Sequence, residues 1–403
     1  METLKQLAKE VQSHLETVIL PYWKGMIDRE NGGFYGYRDF SLALDPQAVK
    51  GVILNSRILW FFSNAYLTLG REEDLDYARH AYRFLMDSCL DPEYGGVYWS
   101  VRYDGTAPDD AMKHTYNQAF AIYALACYYR ASRDEQALQT AMDLFRIIEE
   151  KTLDPYGYRE AFSREWKEID NEFLSENGLL ADKTMNTLLH LLEAYTELLL
   201  ARENPQVRAR LTWIIDTFTQ KVYNQEECRL EVFFDREFHS IANMHSYGHD
   251  IEASWLLDRA CEVLGDPVRQ QTVKVYSRQM ADHVLRAGYW QGALRYESFE
   301  GEINRQYVWW VQAEGVVGYL NQYEKTRDPL YLNVIEQLWA YIQQHLVDPR
   351  PNSEWFYEVN PDGTPVEKPI TELWKCPYHN GRMCMEVLRR VEADGSEEAY
   401  DRI

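Results

Sequence analysis

The chain of 403 residues sets 42 Lys and Arg against 64 Asp and Glu, and its net charge of -22 leaves no basic stripe for a phosphate backbone or an anionic lipid surface. No nucleic-acid and no membrane partner is therefore expected. With 46% hydrophobic and 26% charged residues, the composition is that of a folded globular protein and excludes general disorder.

The first residues, METLKQLAKEV, carry no basic segment followed by an apolar one, and no run of about 18 apolar residues occurs anywhere. A cytoplasmic protein is the expectation. Six cysteines (Cys89, Cys127, Cys228, Cys261, Cys376 and Cys384) are scattered without CxxC spacing, which predicts reduced core thiols rather than disulfides or a zinc knuckle. The aromatic share is high, 14% with 12 Trp and 29 Tyr, and such rings either fill cores or stack on the C–H faces of sugars.

Along the chain a short Gly/aromatic segment returns six times: GGFYGYRD from Gly32, YGGVYWSVRYDG from Tyr94, YGYREAF from Tyr156, RLEVFFD from Arg229, YWQGALRYE from Tyr289 and EWFYEVNPDG from Glu354. Gly33 to Gly96 spans 63 residues, Gly96 to Gly157 spans 61, and Gly157 to Gly292 spans 135, two units with one insertion. These segments are too short for core strands, so the spacing predicts small β-hairpins at one rim of a larger structure. Between them lie two helical patterns per unit. One is apolar nearly all round, as in 52–69, 184–200 and 307–323, and should be buried on every face. The other has a charged face, as in 74–90, 135–153 and 268–285, and should meet water.

Six units with one buried and one half-exposed helix predict an all-α (α/α)6 barrel, a toroid of six helical hairpins with short β-hairpins at one rim. An open solenoid would need polar end caps, and no terminal repeat is atypical. No Pro/Gly/Ser linker interrupts the chain, so residues 1–403 read as one domain.

Near its start each buried helix carries residues foreign to a core: Arg57; His114, Tyr116 and Asn117; Asn186 and His190; His249 and Glu252; Gln312 and Glu314; His379 and Arg382. Their offsets from the preceding Gly/aromatic segments are similar, which places them around one mouth of a central cavity. Buried charge is costly unless paired, so such a ring is a satisfied polar network or a site, and the site is the reading preferred here. Asn186 and His190 are four apart and His249 and Glu252 three apart, so each pair shares a helix face. Glu252 is expected to orient His249, and Glu314 to orient His379 across the ring, each carboxylate raising the pKa of its imidazole. A metal held by these histidines and glutamates is the alternative, but no HExxH, EF-hand or Cys pattern supports it, and no nucleotide motif is present. No metal and no cofactor are expected.

The stretches LNSRILWFFS at Leu54, KTMNTLLHLLEAY at Lys183, GHDIEASWLL at Gly248, WWVQAEG at Trp309 and WKCPYHNGRMC at Trp374 resemble the N-acylglucosamine 2-epimerase superfamily and, within it, the cellobiose 2-epimerase branch, over about residues 5–393. The resemblance implies the same barrel and epimerisation at C2 of the reducing-end sugar of cellobiose, lactose or mannobiose, without metal or redox cofactor. It implies that His249 and His379 form the acid/base pair, and that Arg57, Asn186 and His190 address the carbonyl and hydroxyls of the open-chain sugar. Tyr116 and Glu252 would hold the reducing sugar, with Trp309 and Trp374 stacking on the substrate. The partner is thus a small-molecule disaccharide, and the enzyme is expected as a monomer or homodimer. Alternatives are a monosaccharide aldose-ketose isomerase, an N-acylglucosamine 2-epimerase, an inverting glycoside hydrolase, which would need two opposed carboxylates, and a non-catalytic sugar-binding protein. The insertion at 168–180 is the expected closing loop.

Overall fold

The computed structural model describes residues 2–174 and 178–394. The expected closing loop falls partly outside them, at 175–177. Six inner helices run Val52–Leu69, Thr115–Ser132, Met185–Ala201, Tyr247–Leu264, Trp309–Thr326 and Tyr378–Asp394. Each is preceded by an outer helix, beginning at Glu2, Glu72, Glu135, Pro205, Pro267 and Pro329. The outer starts follow local chemistry. Asn204, Asp266 and Asp328 cap the first turns with their side-chain oxygens, and each precedes a proline that needs no helical hydrogen bond. Inner helices end abruptly where Gly70, Arg133, Gly265 and Arg327 turn left-handed, so each outer helix follows after only two residues.

Long excursions therefore gather at the opposite rim, where six tight hairpins form by pairing Ile27 with Phe34, Leu90 with Val97, Leu153 with Tyr158, Tyr223 with Leu230, Tyr289 with Leu294 and Val347 with Trp355. A second, unforeseen set of turns follows each of these, as in Arg38 with Leu44, Phe234 with Ser240 and Val359 with Pro365. These second turns join neighbours. Ser100–Val101 of the second unit pairs with Lys50–Gly51 before the first inner helix, and the same antiparallel step recurs at 161–162 on 113–114, 233–234 on 183–184, 297–299 on 244–246 and 358–359 on 307–308. Arg38 on Thr371 supplies the sixth step, joining the first unit to the last. The ring is closed, as the absence of capping repeats predicted. The seam is also sealed from the outer layer, where Trp355 donates Nε1–H to His14 at 2.7 Å and Trp339 donates to Glu10 at 3.0 Å.

The hairpins are clamped by the fourth residue of the inner helix that follows. Asn55 accepts from the Phe34 N–H at 3.0 Å, Gln118 from Val97 at 2.7 Å, Asp250 from Leu230 at 3.1 Å and Gln312 from Leu294 at 2.8 Å. This explains the repeated glycine. A Cβ on Gly33 would stand 2.8 Å from Asn55 Oδ1, and one on Gly96 2.9 Å from Gln118 Oε1, with both backbones in the left-handed region. Buried ion pairs brace the same turns: Lys50 with Asp28 at 2.7 Å, Lys113 with Asp91 at 3.0 Å and Lys183 with Asp154 at 2.8 Å.

Candidate active site

Counted from their first residues, the inner helices stack in layers. The second to sixth positions bring Arg57, Tyr116, His190, His249, Glu252, Glu314, His379 and Arg382 toward the axis beneath the hairpin rim. The ninth positions place Trp60, Tyr123, Glu193 and Trp255 below them, as a floor. A stripe with a polar side chain every three or four residues is affordable on a helix buried on all sides only where the chains converge on each other.

At the centre, the fully buried Arg382 guanidinium binds three carboxylates from three helices: Glu193, Glu252 and, at 2.7 Å, Glu314. Glu314 also accepts from Trp255 Nε1 at 3.0 Å and meets His379 Nδ1 at 2.8 Å. The expected Glu314–His379 pair is therefore present. Glu193 meets His190 Nδ1 at 3.1 Å and accepts from the Tyr378 hydroxyl. Arg57 donates to Tyr116 Oη at 2.7 Å and lies over the Phe120 ring at 4.1 Å.

The expected His249–Glu252 pair does not form. Glu252 is turned to Arg382 with its second oxygen unpartnered, and His249 Nδ1 instead meets Ser246 Oγ at 2.7 Å. Spacing of three residues gave a common helix face, but the stronger attraction of a buried guanidinium decides where a carboxylate turns. The expected rise in histidine pKa is also reversed. Burial holds His249 down to about 3, and burial, reinforced by Arg382 and Arg57, holds His379 well below the ordinary range. His190 is lowered by burial in spite of Glu193. All three imidazoles are neutral at physiological pH because desolvation outweighs the carboxylates.

Among the described residues, the Nδ1 atoms of His190, His249 and His379 have partners and the Nε2 atoms have none. Trp310 lies between two of these rings, with centroids 4.8 Å from His249 and 5.3 Å from His379. Sequence reasoning selected its neighbour Trp309, which is buried against Tyr357 at 4.6 Å with Lys375 over its ring. One residue of helical rotation, about 100°, separates the two, and Trp309 meets His379 edge-on at 6.2 Å. Asn186 is half-buried with an unpartnered Oδ1. Trp374 is half-buried at the mouth, edge-on to Tyr116 at 6.0 Å and to Trp99 at 5.9 Å, and Trp99 packs on the exposed Phe173 at 4.4 Å.

Three polar residues of the expected ring belong to the scaffold. Gln312 clamps Leu294, Asn117 donates to the Tyr98 carbonyl at 2.7 Å, and His114 meets Asn171 at 3.1 Å. Glu193, Tyr378 and Trp310 were missed. HLLE at 190–193 carried a signal for the first, since its i,i+3 spacing is the same as that of HDIE.

Glu252, Glu314 and His379 each place a possible ligand atom within 4.8 Å of the others. Arg382 already binds both carboxylates. A cation there would have to displace the guanidinium and leave it buried without a partner, which the donor set does not favour.

A sequence profile of the N-acylglucosamine 2-epimerase (GlcNAc 2-epimerase) family matches residues 32–380. A cellobiose 2-epimerase of Ruminococcus albus is 51% identical over 385 residues, covering 95% of this chain and 99% of its own. A crystal structure of a sugar epimerase from a ruminal bacterium superposes with a TM-score of 0.94 at 51% identity, covering 95% of this chain and 99% of that one. The cellobiose 2-epimerase of Bacillus thermoamylovorans B4167 superposes with a TM-score of 0.93 at 43% identity, covering 96% of this chain and all of that one.

Proposed function

This chain belongs to the N-acylglucosamine 2-epimerase family, and on that premise we propose that it epimerises C2 of the reducing-end sugar of a β-1,4-linked disaccharide, converting cellobiose to 4-O-β-D-glucosyl-D-mannose and acting also on lactose or mannobiose. The observation that carries the chemistry is the set of three neutral imidazoles whose Nδ1 atoms are tied down and whose Nε2 atoms are left for a substrate. Identity to the named relatives carries the substrate class.

In the open-chain sugar the C1 carbonyl acidifies the C2 proton, and its removal leaves an enediolate. Epimerisation then requires the proton to return from the opposite face. His379 is set up as a base: Glu314 accepts its Nδ1–H, which leaves the Nε2 lone pair free. His249 is adaptable, because the Ser246 hydroxyl can accept from Nδ1 or donate to it, so Nε2 can take a proton or give one. Both rings lean on Trp310, which holds them to one region of the cavity. Arg57 supplies donors to the developing oxyanion, and preorganised donors are where most electrostatic stabilisation arises, whereas His190, whose one N–H is held by Glu193, presents an Nε2 lone pair that accepts from a substrate hydroxyl. Asn186 and Glu252 meet the open-chain hydroxyls with the oxygens left unpartnered in the structure. Trp374 stacks on the second sugar beside Tyr116 and Trp99. The reaction leaves the oxidation state of the sugar unchanged, so no redox cofactor is required.

Proton NMR of cellobiose incubated with the purified, metal-stripped enzyme in D2O tests this reading. Appearance of 4-O-glucosyl-mannose with deuterium at C2 is expected. A ketose product would reassign the enzyme to aldose-ketose isomerisation, and released glucose would reassign it to hydrolysis.

A further inference from the structure

Away from the axial cavity the ring carries a second concavity, an open groove of ≈ 500 Å³ that none of the three imidazoles lines. It lies where three segments of the last two units meet: the outer helix Pro329–Tyr341 with its continuation to Leu346, the hairpin at 289–294, and the second turn of the last unit at Pro361 to Gly363. That turn is closed by the Gly363 N–H on the Asn360 carbonyl at 2.8 Å, and it packs so closely on the His345 ring that a Cβ on the left-handed Gly363 would collide with Nδ1. Tyr307, on the strand that leads into the fifth inner helix, is the most buried lining residue, at 2% exposed.

The polar groups of this groove are left over together. The Tyr341 hydroxyl is buried without a partner, and the Tyr307 hydroxyl, the two His345 nitrogens and the Gln344 amide make no hydrogen bond among the described residues. Gln337 accepts from the Tyr289 hydroxyl with its oxygen and keeps its NH2 free. The rings form one aromatic wall, with Tyr341 centred 5.1 Å from Tyr307 and 4.6 Å from His345. No Lys or Arg lines the groove, so it offers no ion pair to a phosphate, and its one carboxylate, Asp362, is already taken by the Thr364 N–H at 3.0 Å and hydroxyl at 2.6 Å. An apolar ligand would strand the hydroxyls and amides. Phenols and carboxamides that both donate and accept, set beside aromatic rings, suit an uncharged ligand dense in hydroxyls. The volume falls in the range of small-molecule sites, about 300–1000 Å³. We infer that this groove is a second saccharide site, taking an uncharged mono- or disaccharide between Tyr307, Gln337 and His345. Its ligand is read from the groove's own groups, so the inference stands apart from the reaction at the axis.

Methyl β-cellobioside, whose reducing end is locked and cannot turn over, is the probe, titrated into the full chain by saturation-transfer NMR. Two binding components are expected in the parent. Gln337→Ala, an exposed substitution, should weaken one of them about tenfold, as the loss of a hydrogen bond does, and leave kcat for cellobiose within about twofold of the parent. A single component in the parent, or the same titration in parent and variant, overturns the proposal. Crystals of the unmodified protein soaked in the glycoside give a second reading that does not depend on the variant folding. Sugar density against Tyr307, Gln337 and His345 supports the site, and an empty groove at saturating glycoside overturns it. Density in the crystal without the second component in solution is binding at crystal concentration only and also overturns it. A parent that does not epimerise cellobiose would count against the proposed reaction and leave both tests of the groove in force.

Discussion

The first two turns of the inner helices carry polar side chains on two faces, and the faces behave differently. On the face toward the rim, Asn55, Gln118, Asp250 and Gln312 clamp hairpin backbone, and Gln312 both accepts from and donates to Leu294. On the face toward the axis, groups are left over: three Nε2 atoms, Asn186 Oδ1, Glu252 Oε2 and Arg57 Nε. Burial and polarity are shared by both faces. The clamps are satisfied where the axial groups are not, and a buried group without a partner costs stability unless a ligand uses it; a lone unpartnered atom does not by itself mark the site, since Asn117 Oδ1 and Trp309 Nε1 lack partners too.

The sharpest way to break this comparison is to remove a group from the axial face. His379→Ala or His249→Ala should lower kcat by about 10²- to 10⁴-fold, the range of general acid/base catalysis, with an unchanged circular dichroism spectrum. Turnover retained by either variant would falsify its place in the acid/base pair. The rim face should answer in the opposite currency. Gln312→Leu orphans the Leu294 N–H and C=O, and should cost about 2–4 kcal/mol in urea unfolding while the surviving folded enzyme keeps its kcat. A drop in kcat without loss of stability would put Gln312 back among the site residues.

Trp374→Ala tests the outer edge of the axial face. Losing one stacked ring should raise KM for cellobiose about tenfold, in line with about 1–1.5 kcal/mol for an aromatic contact, and an unchanged KM would make the residue structural. The smallest effect concerns Glu252. Burial and the neighbouring Glu314 raise its pKa above the ordinary carboxylate range, against the pull of Arg382. A carboxyl with a raised folded pKa holds more protons folded than unfolded, so its contribution to stability is full at acid pH and falls as pH rises through the folded value. Glu252→Gln, which mimics the protonated acid, should therefore flatten the decline of Tm between weakly acid and alkaline pH. A parallel decline in both proteins would show that Glu252 is ionised throughout.

Most of the architecture was legible in the chain. The 61- to 63-residue spacing of the Gly/aromatic segments and the alternation of fully apolar with amphipathic helices require units that bury one helix on all sides, and the structure closes six of them into a ring. The second turns that pair each unit with the next were not legible, since Arg38 on Thr371 joins residues 333 apart and two-residue strands leave no periodicity to read. For the site, the sequence marked the helices and the height at which polar residues gather, because helical position alone fixes both.

What only the tertiary structure decided is which polar group each side chain meets. Glu252 and His249 share a helix face, yet the buried Arg382 of another helix claims the carboxylate and Ser246 takes the imidazole. Trp309 and Trp310 are adjacent, yet one is packed against Tyr357 and the other lies between two histidines. Periodicity along one helix sets a direction in space, whereas a hydrogen bond depends on what a different helix brings to that point, and electrostatics in a desolvated cavity chooses among the partners within reach.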